Sequence, residues 1–129
     1  MATNCFKRKY NFETRVKESS KVQEKYPDRY PIIVYKDKKS TLPEINKTKF
    51  LAPGELTIGQ FLYIIRKRIE LDEKETLFLF INESILATGS ETISNIYNDY
   101  KDKDGFLYIS YCNENVFGTN RKPSLLKMT

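Results

Sequence analysis

Two thiols and no histidine limit the chemistry open to this 129-residue chain. Cys5 and Cys112 lie near opposite ends without metal or redox spacing, so two reduced thiols are the expected state. A cysteine nucleophile needs a neighbour that lowers its pKa, and the sequence offers Cys112 no such base. The acidic residues are scattered without ligand spacing, so the chain is expected not to be an enzyme and to hold no metal or other cofactor. One chemical feature is left, the basic segment from Lys7 to Lys49 interleaved with Tyr10, Phe12, Tyr26, Tyr30 and Tyr35. It fits a microtubule or nucleic-acid binder only weakly, because a basic helix packed on a sheet has the same composition, and no nucleic acid is expected as a partner.

The length suits one hydrophobic core, and 40% apolar with 13% aromatic residues is a globular composition. No apolar run approaches the roughly 20 residues a membrane-spanning helix needs. No apolar stretch follows Lys7, Arg8 and Lys9, so a secretory leader is not expected and the cytosol is the expected compartment. Charge is unevenly divided: residues 1–50 carry 13 lysines and arginines against 6 acids, residues 51–118 carry 6 against 11, and residues 119–129 carry 3 against none. A basic front and an acidic back imply a polarised surface that steers acidic partners or anionic membranes.

Elements follow from periodicity. Phe12, Val16 and Tyr26 form a weak helical stripe that Pro27 ends. Tyr30-Pro-Ile-Ile-Val-Tyr35 is a strand, and Lys49-Phe-Leu-Ala-Pro53 is a shorter one closed by Pro53-Gly54, with a loop from Lys36 to Thr48 between them. Thr57-Ile-Gly-Gln60 fits a capping box, and Ile58, Phe61, Leu62, Ile65 and Ile69 then repeat with helical spacing. Leu77-Phe-Leu-Phe-Ile81 reads as a strand buried inside a sheet. Ser90 is the expected cap of a short helix carrying Ile93, Ile96, Tyr97 and Tyr100. Asp104-Gly105 makes a turn into the last strand, Phe106-Leu-Tyr-Ile-Ser-Tyr111. The expected fold is α+β: one long helix crossing a four-stranded mixed sheet, a β-grasp layout with a helical N-terminal extension over residues 1–27. Gly118 ends the body at residues 28–118, and residues 119–129 form an exposed tail. On its own, a glycine at that place equally well just terminates a strand.

Several stretches together resemble the ubiquitin-like autophagy modifiers of the GABARAP and light-chain-three type. They are Phe6-Lys7, Tyr10-Asn-Phe-Glu13, Asp28-Arg-Tyr-Pro-Ile-Ile33, Leu42-Pro-Glu-Ile45, Lys49-Phe-Leu-Ala-Pro53, Leu56-Thr-Ile-Gly-Gln-Phe61, Ile65-Arg-Lys-Arg-Ile69, Tyr100-Lys-Asp-Lys-Asp-Gly-Phe-Leu-Tyr108 and Glu114-Asn-Val-Phe-Gly118. The resemblance implies that a cysteine protease cuts between Gly118 and Thr119, removing residues 119–129 as a propeptide. Enzymes like those that activate and conjugate ubiquitin would then pass Gly118 to the amine of phosphatidylethanolamine. A cytoplasmic precursor would become an autophagosome-bound form. Glycine suits such a transfer, since without Cβ it passes through a narrow channel and presents an unhindered carboxylate.

The resemblance also implies a face that reads short aromatic-x-x-aliphatic motifs in cargo receptors by β-augmentation, the partner peptide adding a strand to the sheet. By position, Glu18, Val22, Pro31, Ile33, Lys49, Leu51 and Phe106 would line the aromatic pocket. Phe50, Ala52, Pro53, Leu56, Phe61 and Ile64 would line the aliphatic one, with Phe61 also on the core stripe of its helix. Lys47, Lys49 and Arg68 would attract the acidic residues flanking such motifs. Three positions depart from the family pattern. Ala52 replaces a larger aliphatic residue and should widen the second pocket, Phe50 replaces a common tyrosine, and Leu86-Ala87 stands where prolines are frequent. The long tail implies slower or protease-form-dependent processing. An unlipidated adaptor using only the peptide face is the other reading.

Overall fold

Pro27 stops the N-terminal helical region, and the β-branched and aromatic run behind it forms the first strand. In the computed structural model the elements are α1 (Cys5–Lys9), α2 (Phe12–Lys25), β1 (Arg29–Lys36), β2 (Lys49–Pro53), α3 (Ile58–Arg68), β3 (Phe78–Ile81), β4 (Ile85–Leu86), α4 (Ile93–Tyr100) and β5 (Leu107–Cys112). The structure describes residues 5–114, with side chains from residue 6; Gly118, Thr119 and the rest of the tail lie outside the described residues.

The strands form one sheet in the order β2-β1-β5-β3-β4. β1 and β5 run parallel and the other pairs antiparallel, so the sheet is mixed as expected. It has five strands rather than four, because Ile85 and Leu86 pair with Ile81 and Phe80 as a two-residue edge strand. β5 lies in the middle, and all six of its residues are buried.

Side-chain alternation divides the sheet into two faces. On one, Ile32, Val34, Phe50, Ala52, Leu79, Ile81, Leu107 and Ile109 meet Ile58, Phe61 and Ile65 of α3 and Ile93, Ile96 and Tyr97 of α4. On the other, Ile33, Tyr35, Phe106 and Tyr108 are joined by Phe6 of α1. Phe6 meets the Phe106 ring edge-on with centroids 5.1 Å apart, so α1 is seated by an aromatic contact rather than by its own length.

Caps set the helix starts. Thr57 and Gln60 form the expected capping box at α3, each satisfying the other's backbone N–H. The N-terminal region is two helices, broken where the Asn11 side chain accepts the Thr14 N–H and caps α2. Its expected apolar stripe is poorly buried, with Phe12 48% and Tyr26 39% exposed. What holds α2 down is polar: Arg15 pairs with buried Asp104 at 2.7 Å, and the Ser19 hydroxyl donates to the Asp104 carbonyl at 2.5 Å. Thr92, not Ser90, caps α4. The reason is tertiary: Ile93 N–H donates to the Leu56 carbonyl and Ile58 N–H to that of Glu91, which clamps the two helix starts together.

The Asp104-Gly105 turn is tight against α2. Gly105 has φ +92°, and a Cβ there would sit 2.3 Å from Ser19 Oγ and 3.0 Å from Ser19 Cβ. Gly105→Ala is expected to cost about 1–3 kcal/mol from the left-handed backbone alone, with the collision added. A urea denaturation midpoint unchanged from wild type would contradict this.

Candidate peptide-binding edge

β2 is the outer strand next to β1, so one side of its backbone faces away from the sheet. The Thr48 carbonyl accepts the Val34 N–H at 2.8 Å, and the register places Ile33 opposite Lys49. Bonded and non-bonded pairs alternate along an antiparallel ladder, so Phe50 and Ala52 bond to β1 while Lys49, Leu51 and Pro53 turn their backbone groups outward. Pro53 has no N–H, and its carbonyl already accepts from Leu56 N–H at 3.2 Å. Lys49 and Leu51 are left as the outward-facing segment, a template for an added strand.

The same alternation sends side chains to opposite sides of this edge. Lys49 and Leu51 lie opposite Ile33 and Pro31 and share their face with Phe106, beneath α2. Pro31, Ile33 and Phe106 are buried and form a floor, while Leu51 is half-buried. Glu18 and Val22 line a separate hollow along α2, and the Glu18 carboxylate pairs with the Lys49 ammonium across the gap. The two side chains are 29% and 50% exposed, so a partner separates them at a cost of only about 0–1 kcal/mol. Beyond Lys49 a cavity of about 530 Å³ opens between α1 and β1, lined by Phe6, Tyr10, Ile33, Tyr35 and Ile45 and edged by Arg8, Lys9 and Lys38. Apart from Ile33 and Lys49, none of the residues expected to line the aromatic pocket borders this cavity.

On the other face, Phe50, Ala52 and Phe61 are buried core, with Phe50 and Phe61 packed edge-to-face at 5.6 Å. Pro53 and Leu56 are half-buried, and Ile64 is 38% exposed, so these three form the accessible rim. The Lys47 ammonium lies 5.0 Å and the Arg68 guanidinium 5.8 Å from the Phe50 ring centre. The aromatic face thus holds two cations at the mouth of this side.

Sequence reasoning missed Arg29, whose guanidinium donates to the outward Leu51 carbonyl at 3.2 Å. The signal was a cation at the first position of β1, paired in register with Pro53 at the other end of the edge. Cys112 is fully buried, and burial pushes its thiol pKa up, the opposite of what a nucleophile needs. Among the described residues no group of cysteine, aspartate or glutamate is arranged to hold a metal ion, and no helix is long and apolar enough to cross a membrane.

The family model for the autophagy protein Atg8, ubiquitin-like, matches residues 14–118. The chain belongs to the Atg8 family. It is a ubiquitin-like autophagy modifier, as the resemblance implied. The chain is 50% identical to autophagy-related protein 8e of Arabidopsis thaliana over 117 residues, 91% of this chain and 95% of the relative. Among solved structures it resembles Trypanosoma brucei ATG8 with a TM-score of 0.79 and 41% identity, covering 83% of this chain and 91% of that one. It also resembles Plasmodium falciparum Atg8 in complex with a peptide of Plasmodium falciparum Atg3, with a TM-score of 0.78, 34% identity and coverage of 85% and 96%.

Proposed function

We propose that this Atg8-family chain is cleaved after Gly118, conjugated through that glycine to phosphatidylethanolamine, and read on the membrane by short peptides that add to β2. The observation that carries the first part is where the family match stops: it runs through residue 118 and leaves 119–129 outside. The described chain ends in Glu114, exposed beyond β5, with Asn113 tied to Thr41 by a 2.7 Å hydrogen bond. Position 118 is four residues further along the sequence. Removing residues 119–129 takes away Arg121, Lys122 and Lys127, and two acyl chains then anchor the body stably.

In this reading the chain is a substrate of enzymes and not itself one. Its partners are a processing cysteine protease, activating-like and conjugating-like enzymes, and cargo receptors. The peptide-bound Plasmodium relative supports a conjugating enzyme as one peptide partner. The protein moves from the cytoplasm to autophagosomes on conjugation. Domain limits at 28 and 118 go with this reading, the helical extension supplying Glu18 and Val22 to the peptide face.

Intact mass and membrane partitioning of an N-terminally tagged chain from autophagy-induced cells test it, beside Gly118→Ala. The wild type is expected to lose residues 119–129 and gain a phospholipid, with the adduct absent in the variant. A full-length, soluble wild type, under conditions where a relative is lipidated, would leave the peptide-binding adaptor as the function.

A further inference from the structure

A second pocket, of about 550 Å³, lies on the α1 side of the sheet between the end of α1, the β3–β4 turn and the segment after α4. It is bordered by Lys7, Arg8, Lys101 and Lys103, with Glu83 and Asp102 as the only carboxylates among the described residues that line it. Both acids are engaged. Glu83 accepts the Tyr35 hydroxyl at 2.6 Å, and Asp102 accepts the Lys7 ammonium at 2.7 Å and the Asp104 N–H at 3.0 Å. Arg8, Lys101 and Lys103 have no ion-pair partner among the described residues. The rings of Tyr35, Tyr100 and Tyr108 supply apolar wall between the charges.

The walls are fixed by backbone bonding rather than by side chains alone. Asn82 N–H donates to the Tyr108 carbonyl at 3.1 Å and its side-chain amide to the Tyr100 carbonyl at 3.3 Å, locking the turn to β5 and to the end of α4. A preformed cavity of this size, with cations converging from two separate elements and flat rings between them, suits a small polyanion with a compact ring body. We propose that this pocket binds a phosphomonoester-bearing polyol headgroup, of the inositol phosphate type, carried on a lipid or free in solution. None of the residues bordering the pocket belongs to β2, so the ligand and a partner peptide are held at the same time. Binding of the headgroup does not require conjugation at Gly118, so the success or failure of one is separate from that of the other.

The test is titration of a soluble inositol trisphosphate into the unconjugated full chain at physiological ionic strength, where screening beyond about 8 Å removes diffuse attraction. Lys101→Glu with Lys103→Glu is expected to weaken binding by about tenfold or more. Lys67→Glu with Lys74→Glu makes the same change in net charge outside the pocket and should leave binding within about threefold. Unchanged affinity for a β2-binding peptide shows that the first double variant is folded. Vesicles containing a phosphatidylinositol phosphate, compared with phosphatidylserine vesicles of equal surface charge, separate the sources. Preference for the former assigns the headgroup to a lipid, and binding of the soluble probe alone assigns it to a free metabolite. Absence of probe binding to wild type, or equal loss in both double variants, overturns the site.

Discussion

Asp104→Ala is expected to lower the free energy of unfolding by about 3–5 kcal/mol, the cost of removing one member of a buried ion pair. The carboxylate is fully buried and joins α2, β5 and the turn leading into β5. One oxygen accepts Arg15 of α2 and the Tyr108 hydroxyl of β5, and the other accepts the Phe106 N–H at 2.8 Å. Alanine leaves an almost buried guanidinium, a phenol and an amide without their acceptor, and each is costly to desolvate unpaired. Arg15 also donates to the Tyr10 carbonyl at 3.1 Å, so the α1–α2 junction loosens with it. The functional result follows from what α2 carries: without its polar anchor, the Glu18 carboxylate is no longer held against Lys49 of the β2 edge, and peptide affinity falls alongside stability. Urea denaturation with Arg15→Ala and the double variant isolates the pair. If Asp104→Ala costs under about 1 kcal/mol, burial of this network does not secure α2.

The elements defined by their own residues were legible in the sequence. α3 announces itself by the Thr57-Gln60 box and a helical apolar repeat, and β2 by β-rich residues ended at Pro53-Gly54. Elements defined by a distant partner were not. Two residues, Ile85 and Leu86, become a strand only because Phe80 and Ile81 present a free side, and α4 starts after Thr92 because the Leu56 carbonyl accepts the Ile93 N–H while the Glu91 carbonyl accepts the Ile58 N–H of α3. α1 has only five residues, and the Phe6 contact with Phe106, far along the chain, fixes it. The peptide edge divides the same way. Alternation along β2 assigns Lys49 and Leu51 to one side and Phe50 and Ala52 to the other, which any strand reading gives. That Arg29 reaches the Leu51 carbonyl and that Glu18 meets Lys49 needs the register of β1 on β2 and the placement of α2, and neither is local.

Phe61→Ala and Ile64→Ala are expected to separate core from binding surface on the second side of the edge. Both residues belong by resemblance to the aliphatic pocket, yet Phe61 is 1% exposed and Ile64 38%. Phe61 packs edge-to-face on Phe50 amid Ile58, Ile65 and Ile32, so its truncation leaves a cavity and costs about 3–5 kcal/mol of stability. Ile64 has open space beside it and loses less than about 1 kcal/mol on truncation, within the range of surface substitutions. A peptide that docks its aliphatic side chain here must rest on Ile64, Leu56 and Pro53, because Ala52 is buried and presents only a methyl group. Ile64→Ala should therefore weaken a β2-binding peptide by about five- to tenfold, a loss matching roughly 1–1.4 kcal/mol, with the denaturation midpoint nearly unmoved. Phe61→Ala should move the midpoint most and alter affinity chiefly through the folded fraction. Calorimetric peptide titration beside urea denaturation of both variants reads the two effects apart. Strong loss of affinity in a fully folded Phe61→Ala, with Ile64→Ala silent, would place the pocket deeper than this structure does, between α3 and the sheet.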